Sequence, residues 1–294
     1  MVDLPPFDRF LAETKPRARR SRFHPRYPFA LDRGPVAREL QAPDPNNPFG
    51  HEPELAHLLD RLVPDDGVFL DVGANAGYFS IYLATRPNFH GRVHAFEPVA
   101  TTFATLQRLV NGLGCGNIVT CHNAAASDKV GTTQMDVPSP NSGLSSIKEV
   151  GDGGERVKTT TLDSLRLDRV DFAKVDVEGH EAQALKGAAH LIASCKPFIF
   201  LESWMPMQQP KRALEPLLFL MDQGYNLYLP AWEQRNGSTA IGIGPLPVFE
   251  REIFALHPFS TFTERHTFPG EQLNIFAAPR QREPELGELP PLRV

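Results

Sequence analysis

The stretch FLDVGANAGYFS, residues 69–80, begins with an apolar run that is typical of a buried strand and that ends at Asp71. A turn of small residues follows, with Gly73 near its start, and Gly77 opens a segment with helical spacing. Residues without a bulky Cβ allow a backbone to approach another group closely. The stretch therefore predicts a strand, a tight turn and a helix, with a ligand close to the turn.

A nucleoside without a pyrophosphate is the ligand that this turn favours. In the dinucleotide pattern G-x-G-x-x-G, the second and third glycines would fall on Asn75 and Tyr78. Asp71 adds a negative charge, which suits a cation better than a phosphate. Glu97 ends the next strand, about 24 residues further on, where an acid accepts hydrogen bonds from a ribose diol. The predicted nucleoside site therefore contains Asp71, Gly73, Asn75, Gly77 and Glu97.

Strand and helix patterns alternate along most of the chain, which predicts an α/β fold with a mostly parallel sheet covered on both faces. Helices are predicted at 52–63, 75–86, 99–114, 180–194 and 212–224, and strands in GVFLDVG, RVHAFEP, NIVTCHNAA, VDFAKVDVEG, PFIFLES, YNLYLP and LNIFAAP. The segments 131–137 and 156–165 break the alternation and predict an antiparallel insertion between the third and fourth strands. Residues 231–270 are expected to be rich in loops.

Composition divides the chain into three predicted parts. Residues 1–50 are rich in proline and arginine and predict an extended arm. Its basic run KPRARRSRFHPR, residues 15–26, is expected either to be solvated or to contact an anionic partner. Residues 51–280 are predicted to form one domain, and residues 281–294 a disordered tail.

Charge and cysteine content limit the expected partners and compartment. The 294 residues carry a net charge of −5, whereas nucleic-acid-binding domains are usually basic, so no nucleic-acid partner is expected. The three cysteines show neither metal-binding nor disulfide spacing, which favours a reducing compartment. No apolar run suits a membrane span or a signal peptide, so a cytoplasmic protein is expected. The sequence leaves open whether the chain forms homo-oligomers.

A second group of polar residues lies where KVDVEGHE, residues 174–181, turns from a strand into a helix. Ligands bind beyond the carboxyl ends of parallel strands, so Asp176 and His180 are expected to face one site. His180 is the candidate general base because imidazole titrates near neutral pH. Asp176 is expected either to orient the substrate group that the base deprotonates, called here the acceptor, or to stabilise a positive charge on the ligand. Glu178 is expected to cap the following helix. Glu202, which ends the strand PFIFLES, is a rival base or acceptor anchor.

Two further predictions concern the acceptor and a metal. Four small polar residues in the insertion are expected to bind a hydroxylated acceptor: Asn141, Ser142, Ser145 and Ser146. Asp176, Glu178 and Glu202 together would also suit an oxygen-rich Mg²⁺ site. No metal is expected at this site, because the family that the chain resembles in the six segments below is not one that implies a metal.

Six segments of the chain match, in order, the pattern of a known family: DVGANAGYFS, HAFEPVATTFATLQRLV, NAAASD, NSGLSS, VKTTTLDSL and KVDVEGHEAQALKGA. From about Glu52 to about Pro279, most of its length, the chain resembles the FkbM-type methyltransferases. Proteins of this family use S-adenosylmethionine and mostly methylate hydroxyl groups. The first of the six segments is common to many methyltransferases, whereas the last, preceded by NSGLSS, is much more specific.

The resemblance implies a class I methyltransferase with a Rossmann-like sheet of seven strands, the last of them antiparallel. It implies S-adenosylmethionine as the cofactor and S-adenosylhomocysteine as the product, with Asn123 and Ala124 along the adenine. The cofactor contains no phosphate, in agreement with the turn at Gly73. The expected reaction is O-methylation of a sugar, glycan or secondary metabolite, so the expected partner is a hydroxylated small molecule or glycan.

Three other functions stay open. A nicotinamide-dependent oxidoreductase shares the fold and the ribose acid, although Asn75 and the absence of a Tyr-x-x-x-Lys pair argue against it. A non-catalytic nucleoside-binding module would keep the same residues. Methylation at nitrogen is the third, although the Asn/Asp-Pro-Pro-Tyr motif of many amino-group methyltransferases is absent after the fourth strand.

Overall fold

The computed structural model describes residue 9 and residues 12–22, 52–136, 146–147, 154–204, 210–233, 239–241, 253–259 and 272–287. The chain divides into two compact units. The central unit comprises residues 27–42 and 62–199, and the terminal unit comprises residues 1–26, 43–61 and 200–294. The boundaries at residues 61 and 199 fall inside the stretch 51–280 that was predicted to be one domain.

The helices and strands of the described residues follow the predicted alternation. The α-helices are α1 (Pro53–Leu62), α2 (Tyr78–Ala84), α3 (Ala100–Gly112), α4 (Glu181–Lys186), α5 (Ala189–Cys195) and α6 (Pro210–Asp222). The strands are β1 (Arg19–Arg22), β2 (Val68–Val72), β3 (Arg92–Phe96), β4 (Val119–His122), β5 (Ala125–Ala126), β6 (Gly131–Asp136), β7 (Ser146–Ile147), β8 (Glu155–Thr160), β9 (Phe172–Val175), β10 (Phe198–Trp204), β11 (Tyr225–Glu233), β12 (Thr239–Ile241), β13 (Ile253–Pro258) and β14 (Gln272–Pro279). Short 3-10 helices form at Lys15–Arg17, Leu162–Leu165 and Arg280–Leu286.

Four parallel strands form the main sheet of the central unit, in the order β9-β2-β3-β4. The register places Phe69 between Val93 and Phe172. Strands β2 and β9 are almost entirely buried, as expected of parallel strands that are covered on both faces. Because the strands run in one direction, the residues that follow them meet at one edge of the sheet, called here the carboxyl edge.

A smaller sheet of the central unit has the order β5-β8-β6-β7. Its strands β6 and β8 pair antiparallel, with Gly131 opposite Thr159 and Met135 opposite Glu155. Along the chain they lie between the third and fourth strands of the parallel sheet, where two antiparallel strands were predicted. Met135 and Val157 are buried together with Val99, at the start of α3.

The prediction of one continuous helix over residues 180–194 is wrong, because helices α4 and α5 are separate. The break lies at Gly187 and Ala188. A Cβ atom on Gly187 would lie 1.9 Å from the Ser127 carbonyl oxygen, so glycine lets the Ser127 backbone pass against the break.

An antiparallel sheet forms the terminal unit, in the order β1-β13-β11-β14, with β12 paired to β11. Strands β12 and β13 both fall within residues 231–270, which were expected to be rich in loops. The interior residues of β13, Phe254 to His257, are all buried. Their pairing partners in β11 and β1 are distant in sequence, which explains why the local pattern did not reveal the strand.

Part of the predicted N-terminal arm is ordered within the terminal unit. Strand β1 pairs Arg19 with Leu256 and Arg22 with Ile253. The Arg20 guanidinium donates from Nε and Nη2 to the two Glu233 carboxylate oxygens, at 2.6 and 2.8 Å. The charge of Arg20, within the basic run, is therefore paired with an acid of the terminal unit.

The prediction of disorder from residue 281 is wrong for residues 281–287. They belong to the 3-10 helix Arg280–Leu286 and the turn after it, and Leu286 is buried. The Tyr228 hydroxyl donates a hydrogen bond to Glu283, and Arg19 lies 3.4 Å from the same carboxylate. Residues 288–294 lie outside the described residues. Among the helices that the structure describes, none has the length and apolarity needed to cross a membrane.

Candidate functional site

A cleft with about 580 Å³ of empty space opens at the carboxyl edge of the central unit. Its walls come from the segments that follow all four parallel strands. The lining residues are Gly73, Asn75, Phe96, Glu97, Pro98, Ala124, Ala125, Ala126, Met135, Asp176, Val177, Glu178 and His180. Both predicted constellations, the turn with its acid and the segment after β9, therefore contribute to one cleft.

The turn after β2 is tight because another part of the protein packs against it. Gly73 has φ of +80°, and a Cβ there would lie 1.7 Å from the Asp176 carbonyl oxygen. The sequence predicted that a ligand approaches this glycine, but the group beside it is the backbone of the chain itself. The amides of Gly73 and Ala74 both donate to the Phe96 carbonyl oxygen, at 3.1 and 2.9 Å. The turn is thereby joined to the ends of both β9 and β3.

Glu97 is the acid that the turn presents to the cleft. Its Oε2 atom accepts the Asn75 N–H at 3.0 Å, and its Oε1 atom accepts the Val99 N–H at 2.9 Å. Burial raises the pKa of Glu97 to about 7, although these two donors favour the ionised form. Each carboxylate oxygen has two lone pairs, so the carboxylate can accept further hydrogen bonds from a ligand.

Asp71 and Gly77 position helix α2 and are not among the cleft-lining residues. The buried Asp71 carboxylate accepts the Ser80 backbone N–H at 3.0 Å and the Ser80 hydroxyl at 2.6 Å, both on Oδ2. Burial raises the pKa of Asp71. Gly77 has φ of +90°, and a Cβ there would lie 2.4 Å from the Leu106 Cδ1 atom. Both residues act here on the protein framework, whereas the sequence predicted a direct role in binding.

The predicted adenine residues lie beside β3 and β4. Ala124 lines the cleft, whereas the Asn123 side chain donates to the carbonyl oxygens of Glu97 and Pro98, both at 3.0 Å. Asn123 thus braces the segment that presents Glu97. Phe96 is stacked on His122, with ring centroids 4.4 Å apart, and also borders the cleft.

A buried lysine, which the sequence analysis did not single out, connects the two constellations. Lys174 is 4% exposed, and its ammonium donates to the Gly73 carbonyl oxygen at 3.1 Å and to Asp176 Oδ2 at 2.9 Å. Its charge lowers the pKa of both Asp71 and Glu97, against the larger effect of burial. A lysine within an apolar strand, two residues before an acid on the same strand face, was the signal that could have revealed it.

His180 lines the cleft at the start of α4 and contacts a second residue that the sequence analysis did not single out. Its Nε2 atom lies 2.9 Å from the Ser127 hydroxyl oxygen. Ser127 is buried, and its hydroxyl donates to Asp128 Oδ1 at 3.2 Å. The predicted base is therefore part of a chain of three side chains.

Glu181 supplies a carboxylate bond at the loop before α4. The Glu181 Oε1 atom accepts the Gly179 N–H at 2.7 Å, and burial raises the pKa of Glu181. Glu178 has φ of +50° and lines the cleft. The sequence predicted helix capping for Glu178.

Five predicted residues lie outside this description of the cleft. Glu202 is buried in β10 and belongs to the terminal unit. Asn141, Ser142 and Ser145 are not among the described residues, and Ser146 is described through its backbone in β7. Within the described part of the chain, no group of three or more His, Cys, Asp and Glu side chains is arranged to hold a metal ion.

Comparison with known families matches residues 71–227, more than half of the chain, to the Methyltransferase FkbM domain. The chain is 30% identical over 155 residues to the hexuronic acid methyltransferase AglP of Haloferax volcanii. It is also 30% identical over 150 residues to Methyltransferase 1 of Beauveria bassiana. These matches cover 51% and 42% of this chain, and 62% and 59% of the two relatives, so the chain spans less than two thirds of either relative.

Solved structures also resemble the chain. The methyltransferase FkbM from Methylobacillus flagellatus KT matches with a TM-score of 0.44 and 20% identity, over 65% of this chain and 44% of that one. The O-methyltransferase from Bacillus cereus in complex with SAH matches with a TM-score of 0.43 and 12% identity, over 79% of this chain and 96% of that one.

Proposed function

Because this chain belongs to the Methyltransferase FkbM domain family, we propose that it is an S-adenosylmethionine-dependent O-methyltransferase. The proposed acceptor is a hydroxyl group on a sugar, glycan or secondary metabolite. The observation that carries the proposal is Glu97, a buried acid held toward a cleft by two backbone amides. We also propose the class I methyltransferase fold, whose sheet has seven strands with the last one antiparallel. A cytoplasmic location and independence from metal stay predictions from the sequence.

The residues of the cleft fit S-adenosylmethionine in charge and hydrogen bonding. Glu97 offers acceptor lone pairs to a ribose diol. Glu97 and Asp176 both line the cleft, which suits a ligand with a sulfonium and an ammonium group. Ala124, Ala125 and Phe96 offer apolar surface to an adenine. Gly73 and Asn75 both have positive φ, and they keep the backbone of the turn at the wall of the cleft.

The proposed catalytic roles follow from proximity and proton transfer. Bound S-adenosylmethionine would supply a sulfonium-activated methyl group, and S-adenosylhomocysteine would be the product. Asp176, fixed by its ion pair with Lys174, orients the acceptor hydroxyl. His180 takes the hydroxyl proton as general base. Glu202 is the rival base or acceptor anchor, and Asn141, Ser142, Ser145 and Ser146 are the proposed acceptor-binding residues.

A sugar acceptor is proposed because the relative from Haloferax volcanii is a hexuronic acid methyltransferase. Sugar acids present several hydroxyl groups on one ring, and polar side chains such as Asp176, Glu178 and His180 at the cleft can form hydrogen bonds with them.

Calorimetric titration with S-adenosylhomocysteine tests the proposed cofactor. We expect the wild-type protein to bind, and Glu97→Ala to bind at least about tenfold more weakly, because each hydrogen bond to a charged acceptor contributes about 1.5–3 kcal/mol. Glu155→Ala is the matched control. Its carboxylate also accepts a backbone N–H at the start of α3, at 3.0 Å, but it does not line the cleft.

Two outcomes would contradict this proposal. If the folded wild-type protein does not bind S-adenosylhomocysteine but is stabilised thermally by NAD, the methyltransferase proposal is replaced by the nicotinamide-dependent oxidoreductase. If Glu155→Ala weakens binding as much as Glu97→Ala does, the ribose contact of Glu97 is wrong. Circular dichroism of each variant establishes that the fold is intact.

A further inference from the structure

The Ser127 hydroxyl is held in one place by the backbone around it. Its own N–H donates to the Thr160 carbonyl oxygen at 2.8 Å, which ties it to the end of β8. Its carbonyl oxygen packs against Gly187, where a side chain would collide with it. Ser127 is 4% exposed. A hydroxyl fixed in this way, 2.9 Å from His180 Nε2, can orient the imidazole ring.

The hydrogen-bond chain has one direction because a hydroxyl carries a single proton. The Ser127 hydroxyl donates to Asp128 Oδ1 at 3.2 Å, so toward His180 it offers a lone pair. The Nε2 atom of His180 must then be the donor, at 2.9 Å from the Ser127 oxygen. In a neutral imidazole with its proton on Nε2, the basic lone pair lies on Nδ1.

We propose that Ser127, supported by Asp128, is a positioning residue that holds His180 with its proton on Nε2 and thereby makes Nδ1 the basic atom. This inference rests on the proposed function and names the residue that prepares its general base. Ser127 does not itself contact the acceptor. The exposed Asp128 carboxylate stabilises the imidazolium through the serine, as an outer carboxylate does for other positioned histidines.

The proton of the acceptor hydroxyl passes to His180 when the methyl group is transferred. The O–H bond of the acceptor breaks, its proton forms a bond to Nδ1 of His180, and the oxygen keeps the electron pair with which it bonds to the methyl group. The imidazolium then holds protons on both nitrogens. It returns the Nδ1 proton to water before the next cycle.

Nuclear magnetic resonance of protein labelled with ¹⁵N-histidine tests this arrangement directly. The spectra are recorded at about pH 8.5, well above the usual histidine pKa of about 6.5. We expect the His180 signals, assigned by their loss in His180→Gln, to show a proton on Nε2. We expect Ser127→Ala to speed exchange of that proton with water by about tenfold, because its hydrogen-bond acceptor is gone.

Two variants separate positioning from packing. Ser127→Thr keeps the hydroxyl and is expected to restore slow exchange. Ser164→Ala removes an exposed hydroxyl elsewhere in the central unit, one that bonds Thr161 and Thr160, and is expected to behave as wild type. With glucuronate as the probe acceptor, Ser127→Ala is expected to lower kcat about 10- to 100-fold with little change in KM. Its affinity for S-adenosylhomocysteine should not change.

A wild-type His180 ring with its proton on Nδ1 would overturn the inference, whatever the activity. So would Ser127→Ala with wild-type exchange at Nε2. The protein could also bind S-adenosylhomocysteine without methylating glucuronate. In that case, a proton on Nε2 whose slow exchange depends on Ser127 still supports the positioning role. That result would instead contradict hexuronates as the acceptor. Failure to bind S-adenosylhomocysteine would contradict the proposed function and leave the assigned ring geometry in place.

Discussion

At the scale of single residues, Glu97 balances burial against hydrogen bonding. Burial penalises its charge and raises its pKa to about 7, while the amides of Asn75 and Val99 stabilise the ionised form. A ribose diol would add two further donors to the same carboxylate. The ionised form is therefore the better ligand acceptor, and it becomes the minor form just below neutral pH.

This balance predicts a pH dependence of cofactor affinity. Since a ligand diol binds the ionised carboxylate, the apparent Kd for S-adenosylhomocysteine should rise about tenfold when the pH is lowered from about 8 to about 6 across a pKa near 7. Calorimetric titration at several pH values measures it. The control is Glu97→Gln, whose affinity is expected to be weaker and flat over this range. An equal pH dependence in both proteins would assign the effect to another group.

Lys174 shows how one residue serves both parts of the cleft. Its ammonium bonds the turn through the Gly73 carbonyl oxygen and the segment after β9 through Asp176. A buried charge is costly unless it is paired and hydrogen-bonded, and both conditions hold here. The pair keeps the Asp176 carboxylate oriented at the cleft.

At the scale of elements, the turn after β2 and the end of β9 are packed as one piece. Gly73 meets the Asp176 carbonyl oxygen, and its φ of +80° adds a second reason for glycine. The first glycine of the turn therefore maintains the distance between two strand ends. It also lines the cleft.

The packing of Gly73 predicts a destabilised variant. Gly73→Ala introduces a left-handed alanine, which costs about 1–2 kcal/mol, and a collision with Asp176, which costs about 1–3 kcal/mol more. Chemical denaturation measures the free energy of unfolding. Gly114→Ala is the matched control, because its φ is +71° but no atom lies within 4 Å of the added Cβ. Equal losses in the two variants would show that the contact with Asp176 contributes nothing.

At the scale of the whole molecule, buried carboxyl groups link stability to pH. Burial raises the pKa of Glu54 to about 8, although the Asn274 side chain donates to it at 3.0 Å. The carboxyl group keeps its proton in the folded chain above pH 4.5, where the unfolded chain has already lost it. Glu97 shifts in the same direction. For both groups the folded state binds more protons between the two pKa values, so stability falls as the pH rises.

Above about pH 7, where the histidines of the unfolded chain are mostly neutral, the free energy of unfolding is expected to decrease as the pH rises to about 8. The slope for each group is at most about 1.4 kcal/mol per pH unit. Urea denaturation followed by circular dichroism measures it. Glu54→Gln is expected to flatten the dependence, whereas Glu285→Gln, at an exposed ion pair with Arg282, should keep it. An equal pH dependence in Glu54→Gln and the wild-type protein would show that Glu54 does not cause it.

Much of the element order, and many of the residues that line the cleft, could be predicted from the sequence. Helix α1, the four parallel strands and the pair β6 and β8 follow hydrophobic periodicity, which is a property of neighbouring residues. Strand β13, the ordered tail to residue 287 and the break at Gly187 could not. Their stabilising partners, such as Arg19 for Glu283 and Ser127 for Gly187, are far away in sequence.

By itself, the sequence determined the strand–turn–helix at residues 69–80, the acid at the end of the next strand and the resemblance to a methyltransferase family. These depend on spacing and residue type within short segments. The tertiary structure alone decided that Asp176 packs on Gly73, that Lys174 bonds both walls of the cleft and that Ser127 reaches His180. The contacts of Gly73 with Asp176 and Lys174, and of Ser127 with His180, join residues about 50 to 100 positions apart. The folded sheet sets these distances because it aligns the ends of its parallel strands.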